Sequence, residues 1–83
     1  MSYNGWKNYE TWNVALWLGN DEGLYSLTRE WVEDRERMCY ELKDYDIFRH
    51  TLTELCGEET PDGVRWDDPS LDNQRLTEMM AEL

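Results

Sequence analysis

Residues 8–21 read NYETWNVALWLGND, and the fold turns on whether this stretch is a helix or a strand. Asn8 suits a helix N-cap, because its side-chain oxygen can accept from a free backbone N–H of the first turn. Glu10 then stands near the positive end of the helix dipole. On a helical wheel Tyr9, Trp12, Ala15 and Leu16 share one face, while Val14, Trp17 and Leu18 fall largely on the other. Glu10, Thr11 and Asn13 alone interrupt the apolar surface. Trp12, Val14, Leu16 and Leu18 also alternate as a half-buried strand would, but Ala, Leu and the capped entry favour the helix. Gly19-Asn20 is a stop signal, and Asp21 can cap the next element. A helix apolar nearly all round is central, or turns one face to the core and one to a partner. The expected packing sets Trp12 and Leu16 against Leu27 and Trp31, with Trp17 and Leu18 meeting a later helix or a second chain.

Working outward, a second helix is expected from Glu22 to Lys43. Leu24, Leu27, Trp31, Arg35, Met38 and Leu42 recur at spacings of three and four, widened by Val32 and Cys39. The opposite face carries Glu30, Glu33, Asp34, Glu36, Arg37 and Glu41. Its Arg29–Glu33 and Glu33–Arg37 pairs sit one helical turn apart. A third helix starts at Asp44 or Asp46, runs through Phe48, Leu52, Leu55 and Cys56, and stops at Gly57. Residues 57–69, GEETPDGVRWDDP, are rich in turn formers. Pro61-Asp62-Gly63 is a turn because proline fixes φ and glycine accepts a positive one. Asp68 as N-cap with Pro69 in the first helical position begins a last helix, whose apolar face is Leu76, Met79, Met80 and Leu83. The fold class that follows is all-α: one domain over residues 1–83, a compact bundle of about four helices with an acidic loop before the last.

At 83 residues the chain is near the lower limit for a self-sufficient core. Five tryptophans compensate, since each can remove roughly 150–250 Å² from water. Trp6, Trp12, Trp17, Trp31 and Trp66 are therefore read as core. Nucleobase stacking needs Arg or Lys nearby, and residues 1–20 offer only Lys7. Cys39 and Cys56 lie on expected apolar helix faces and read as reduced, packed thiols. The opening MSYNGWKNYE has neither the basic nor the apolar region of a signal peptide. No apolar run reaches the roughly 18 residues of a membrane span, so a soluble cytoplasmic protein is expected.

Nineteen acids against 8 Lys and Arg give a net charge of −11. Residues 1–53 hold a net −4 and residues 54–83 a net −7. That sign disfavours direct contact with nucleic acid or an anionic membrane and favours a basic protein surface.

Little in the sequence supports chemistry. His50 is the only histidine, and Cys56, six residues on, is off its helical face, so no Cys–His pair is built locally. One histidine and two cysteines without CxxC spacing do not make a structural zinc site. The five glycines are isolated, which leaves no phosphate loop. The acids Glu58, Glu59, Asp62, Asp67, Asp68 and Asp72 do not follow a calcium-loop pattern. No enzymatic activity, metal or cofactor is expected.

The string Tyr9-Glu10-Thr11-Trp12-Asn13-Val14-Ala15-Leu16-Trp17-Leu18-Gly19-Asn20-Asp21, followed by Glu22-Gly23-Leu24-Tyr25, resembles an uncharacterised family of small phage and mobile-element proteins. Their signature is YETW-x-V-x-LW-x-x-N near the N-terminus. The resemblance implies a protein acting in the cytoplasm of a bacterial host. Joined to the charge, it leads to one expectation: a small acidic protein that inhibits or modulates a basic, nucleic-acid-handling host or defence protein. The residues expected to bind are Glu58, Glu59, Asp62, Asp67, Asp68 and Asp72, with Glu33, Asp34 and Glu36 second. The alternative is a homodimer or larger self-assembly that buries Trp17, Leu18, Met79 and Met80.

Overall fold

The computed structural model describes residues 5–38 and 44–83. Asn8 does cap the first helix: its Oδ1 accepts from the Thr11 N–H at 2.9 Å, and α1 runs over Tyr9–Asn20. Asp21 then serves two helices. Its backbone N–H donates to the Trp17 carbonyl, closing α1, and its Oδ2 accepts from the Leu24 N–H at 3.0 Å, opening α2 at Glu22–Arg37. One residue thus forms the whole connection, which forces α1 and α2 to pack as neighbours.

The buried line of α2 is Leu24, Thr28 and Val32, and Leu27 and Trp31 flank it, half-buried. The expected stripe centred on Leu27 and Trp31 is displaced because Thr28, although polar, is buried. Its hydroxyl donates to the Leu24 carbonyl at 2.7 Å, satisfying itself on its own helix. Met38, expected in the stripe, is 64% exposed. The expected continuation to Lys43, with Cys39, Glu41 and Leu42, lies outside the described residues.

The third helix, α3, spans Tyr45–Cys56 and buries Tyr45, Phe48 and Leu52 at the spacing of one face. Gly57 ends it at φ 86°, a backbone that glycine adopts without strain. Two apolar expectations fail at this end. Leu55 is 66% exposed and Cys56 is exposed as well. The ring of Trp31 on α2 meets Phe48 of α3, 4.9 Å between centroids.

The last helix begins later than the Asp68-Pro69 pair suggested. Asp68 instead builds a turn: its Oδ1 accepts from the Ser70 N–H and hydroxyl, and its carbonyl from the Leu71 N–H. The cap four residues on, Asp72, accepts from the Arg75 N–H at 3.1 Å and opens α4 at Asn73–Glu82. A short polar side chain followed by proline satisfies a turn as well as a helix start, so the two readings compete on equal local terms.

α4 packs on α1, α2 and α3. The core joins Val14 and Leu18 of α1, Leu24 and Val32 of α2, the α3 face, and Leu76 and Met80 of α4. Val64, Trp66 and Leu71, all between the last two helices, complete it. Among the described residues the fold is therefore all-α with four helices, but its acidic loop is a core element and not an appendage.

Candidate partner-binding surface

Between α3 and α4 the chain doubles back on itself. The Thr60 N–H donates to the Val64 carbonyl at 2.7 Å, the Trp66 N–H to the Glu58 carbonyl at 3.1 Å, and Glu59 bridges Arg65. Pro61-Asp62-Gly63 closes this small hairpin, with the Gly63 N–H on the Thr60 carbonyl and Gly63 at φ 89°. That is a three-residue hairpin loop ending in a left-handed glycine. Among the described residues it is the only bridged pair of backbones outside the helices.

The hairpin is held by the polar side chains of α1. Asn13 is fully buried. Its Nδ2 donates to Asp62 Oδ2 at 2.8 Å, and its Oδ1 accepts from the Thr60 hydroxyl at 2.8 Å. One turn along, the Trp17 indole N–H donates to the same Asp62 oxygen at 2.9 Å. Thr60 Oγ1 in turn accepts from the Asp62 and Val64 N–H groups. At the other end of α1, Asn8 Nδ2 donates to the Ser70 carbonyl and Thr11 Oγ1 accepts from the Asp72 N–H at 3.0 Å. Thr11 is also fully buried. Two of the three residues that seemed to interrupt the apolar surface of α1, Thr11 and Asn13, help to dock residues 58–72 onto it. Because Asn13, and next Trp17, donate to the ionised carboxylate, the Asp62 carboxyl lies below the usual range.

The acids expected to bind a partner consequently divide. Asp62 is tied to α1, Asp68 to the Ser70 turn and Asp72 to the start of α4. Arg65 gathers Asp67 at 3.0 Å and Glu58 at 3.4 Å, all three exposed. The hydrogen bond and charge of Arg65 hold the Asp67 carboxyl below its ordinary value. Glu59, exposed, stands at the edge of the hairpin. On α2, Glu33 pairs with Arg29 and Asp34 with Arg37, and Glu36 is exposed on the same helix. Of the nine acids, Glu58, Glu59 and Asp62 lie on the hairpin, Asp67, Asp68 and Asp72 in the segment that follows it, and Glu33, Asp34 and Glu36 on α2.

The apolar alternative does not assemble as expected. Leu18 and Met80 are 0% and 2% exposed inside the single chain, so neither is available to a second copy. Trp17 and Met79 are half-buried against the same core. Of the tryptophans, only Trp66 is fully enclosed. Its N–H has no hydrogen-bond partner among the described residues, whereas its carbonyl accepts from the buried Tyr45 hydroxyl at 2.7 Å. Burial pushes that phenol well above its ordinary pKa. Trp6 and Trp31 lie under arginines, Arg75 at 4.6 Å and Arg35 at 4.7 Å from their ring centroids.

Docking of the hairpin leaves a cavity of about 510 Å³ where it meets the α1–α2 corner and the end of α3. Trp17, Leu24, Pro61 and Trp66 form its apolar walls, and Asp21, Glu59 and Cys56 reach it as well. Burial, followed by the nearby Asp21 carboxylate, raises the Cys56 thiol pKa. His50 faces a different and smaller hollow, of about 280 Å³, with Arg49, Glu54 and Asp67. Cys56 and His50 are thus not brought to one site. Among the described residues no group of three His, Cys, Asp or Glu could hold a metal ion, and no helix is long and apolar enough to cross a membrane.

Comparison with curated proteins and with solved structures finds no match. The model of a family of unknown function (DUF7249) matches residues 1–83, the whole of the sequence, and the chain belongs to that family.

Proposed function

We propose that this is a phage- or mobile-element-encoded binding protein. In this reading it engages a basic, nucleic-acid-handling protein of a bacterial host or its defences, and inhibits or modulates it through an acidic surface. The observation that carries the reading is the disposition of charge: a net −11 presented largely on exposed carboxylates, with Trp66 in the core and Trp6, Trp17 and Trp31 packed against it. Glu58 and Glu59 of the hairpin with Asp67 of the segment that follows it, then Glu33, Asp34 and Glu36 of α2, form the contact surface. Asp62, Asp68 and Asp72 support it by fixing the hairpin and its connection to α4.

Magnitude sets the character of the mimicry. Duplex DNA carries one charge per roughly 1.7 Å of axis, about 22 along the 38 Å length of this molecule. The chain offers half that number. It competes for the sign of a nucleic-acid groove and not phosphate by phosphate. A homodimer through Trp17, Leu18, Met79 and Met80 is disfavoured, since two of those four side chains already lie in the core.

The test is capture from a bacterial lysate on the immobilised protein, with elution by duplex DNA and by salt. The expected result is a nucleic-acid-binding protein retained at low salt, displaced by DNA, and lost in a Glu58→Lys, Glu59→Lys, Asp67→Lys triple variant whose Tm is close to that of the parent. Capture indifferent to DNA, to salt and to the triple variant overturns the proposal, as does no capture.

A further inference from the structure

We infer that the cavity between the hairpin and the α1–α2 corner is a receptor for one cationic side chain, an arginine of the basic partner. This rests on the reading above and gives it a specific point of contact. At about 510 Å³ the cavity is large enough for a whole side chain. Trp17 and Pro61 give it open apolar wall, the buried Trp66 and Leu24 back it, and its charged groups are Asp21 and Glu59. Indole surface attracts a cation through the ring quadrupole. Carboxylates at the rim then accept its N–H groups, and guanidinium, planar and weakly hydrated, suits both demands better than ammonium does.

The other occupants fit less well. An anion meets Asp21 and Glu59 with no arginine or lysine among the lining residues. A purely apolar side chain would fill the walls and partly desolvate Glu59, and Asp21 beyond its Leu24 N–H contact, while offering neither a donor.

Gly23 is also part of the lining. A β-carbon there would stand 3.4 Å from Asp21 Oδ2, ordinary contact distance. A larger residue at this position adds bulk to the lining without meeting backbone. Gly23→Leu is thus a plug that leaves every charge in place. Asp21→Asn removes a charge but keeps a good helix N-cap, and Glu59→Gln alters an exposed side chain.

The experiment follows the five indole N–H signals of the full chain by ¹H–¹⁵N NMR during titration with the peptides acetyl-Gly-Arg-Gly-amide, its Lys counterpart and its Leu counterpart. The arginine peptide is expected to shift the Trp17 and Trp66 signals and leave Trp6 unmoved, with the lysine peptide several-fold weaker and the leucine peptide silent. Asp21→Asn and Glu59→Gln should each weaken arginine binding by about fivefold to tenfold, and Gly23→Leu should abolish it, with thermal melts confirming that each variant is folded. No shift with arginine, or equal shifts with leucine, overturns the inference. The two proposals fail separately. Salt-sensitive, DNA-displaced capture without an arginine shift removes the cavity alone. An arginine shift without capture removes the wider functional reading.

Discussion

Glu33 and Asp62 carry the same charge and both are exposed, yet they belong to two different kinds of structure. Glu33 meets Arg29 one turn back on the same helix, at 3.0 Å. Asp62 accepts from Asn13 and Trp17, 49 and 45 residues distant in sequence. The α2 pair decorates a helix that its Leu24–Thr28–Val32 line already fixes. The hairpin acid is part of what places Val64 and Trp66 in the core. Equal charge thus has unequal structural weight, and the weight follows the sequence distance of the partner.

The severest way to break this contrast is to remove the buried half of the hairpin network. Asn13→Ala leaves the Thr60 hydroxyl without its acceptor and the Asp62 carboxylate with Trp17 alone on α1, and opens a polar void. Loss of two such hydrogen bonds at a fully buried residue is expected to destabilise by about 2–4 kcal/mol. For a domain this small that lowers Tm by roughly 10–25 °C. A thermal melt showing a change under 3 °C would mean that the hairpin is held by its apolar contacts alone.

Thr11→Val probes the same docking at the other end of α1. Valine matches the shape of threonine but cannot accept from the Asp72 N–H, now bonded at 3.0 Å. The expected loss is about 1–2 kcal/mol, roughly 5–10 °C in Tm. Serine at this position keeps the acceptor and should recover part of the loss. A valine variant as stable as the parent would show that the start of α4 does not depend on α1.

Much of the architecture was legible from local chemistry, and the reasons show where legibility stops. Asn8, Asp21 and Gly57 act within a few residues of themselves, so caps and stops could be read in order along the chain. The Pro61-Asp62-Gly63 turn was readable for the same reason. The docking of residues 58–72 was not, because hydrophobic periodicity discounts Thr11, Asn13 and Thr28 as polar, and all three are fully buried. Asn13 carried a usable signal: a polar residue amid apolar neighbours, matched by a Thr-Pro-Asp turn able to meet it. Asp68-Pro69 misled since a turn and a helix start ask for the same residues. For the candidate site, the sign of the charge was legible but its division of labour was not. Net charge counts Asp62, Asp72 and Glu59 alike, whereas only tertiary structure reveals which of them already has a partner.

Acid sharpens the comparison through Asp62. Hydrogen bonds from Asn13 and Trp17 lower its folded pKa, while in the unfolded chain it returns to about 3.9. A depressed folded pKa contributes stability that is present above the unfolded value and lost as pH falls through the folded one. Asp62→Asn should therefore lower Tm by about 2–5 °C at neutral pH, with a gap to the parent that is flat above about pH 5 and closes below pH 4. A gap that does not narrow as pH falls below about 4 would assign the effect to side-chain shape and not to ionisation.

The smallest effect is expected on α2, and its sign is informative. Glu33→Gln removes an exposed pair whose side chains are 44% and 56% exposed, so the attraction lost is screened by water. Against that loss stands a gain: at a net −11 every acid removed relieves repulsion across the whole molecule. The two terms oppose each other, and Tm should move by no more than about 2 °C in either direction. They also differ in range. Repulsion among distant charges fades within a Debye length of about 8–10 Å at physiological salt, while the contact with Arg29 is short. Lowering the ionic strength should hence shift the balance towards the neutral variant, making Glu33→Gln equal to or slightly more stable than the parent, as should Asp34→Asn. A fall of more than 5 °C in either variant would place α2 acids in the same structural class as Asp62 and dissolve the distinction between α2 and the hairpin.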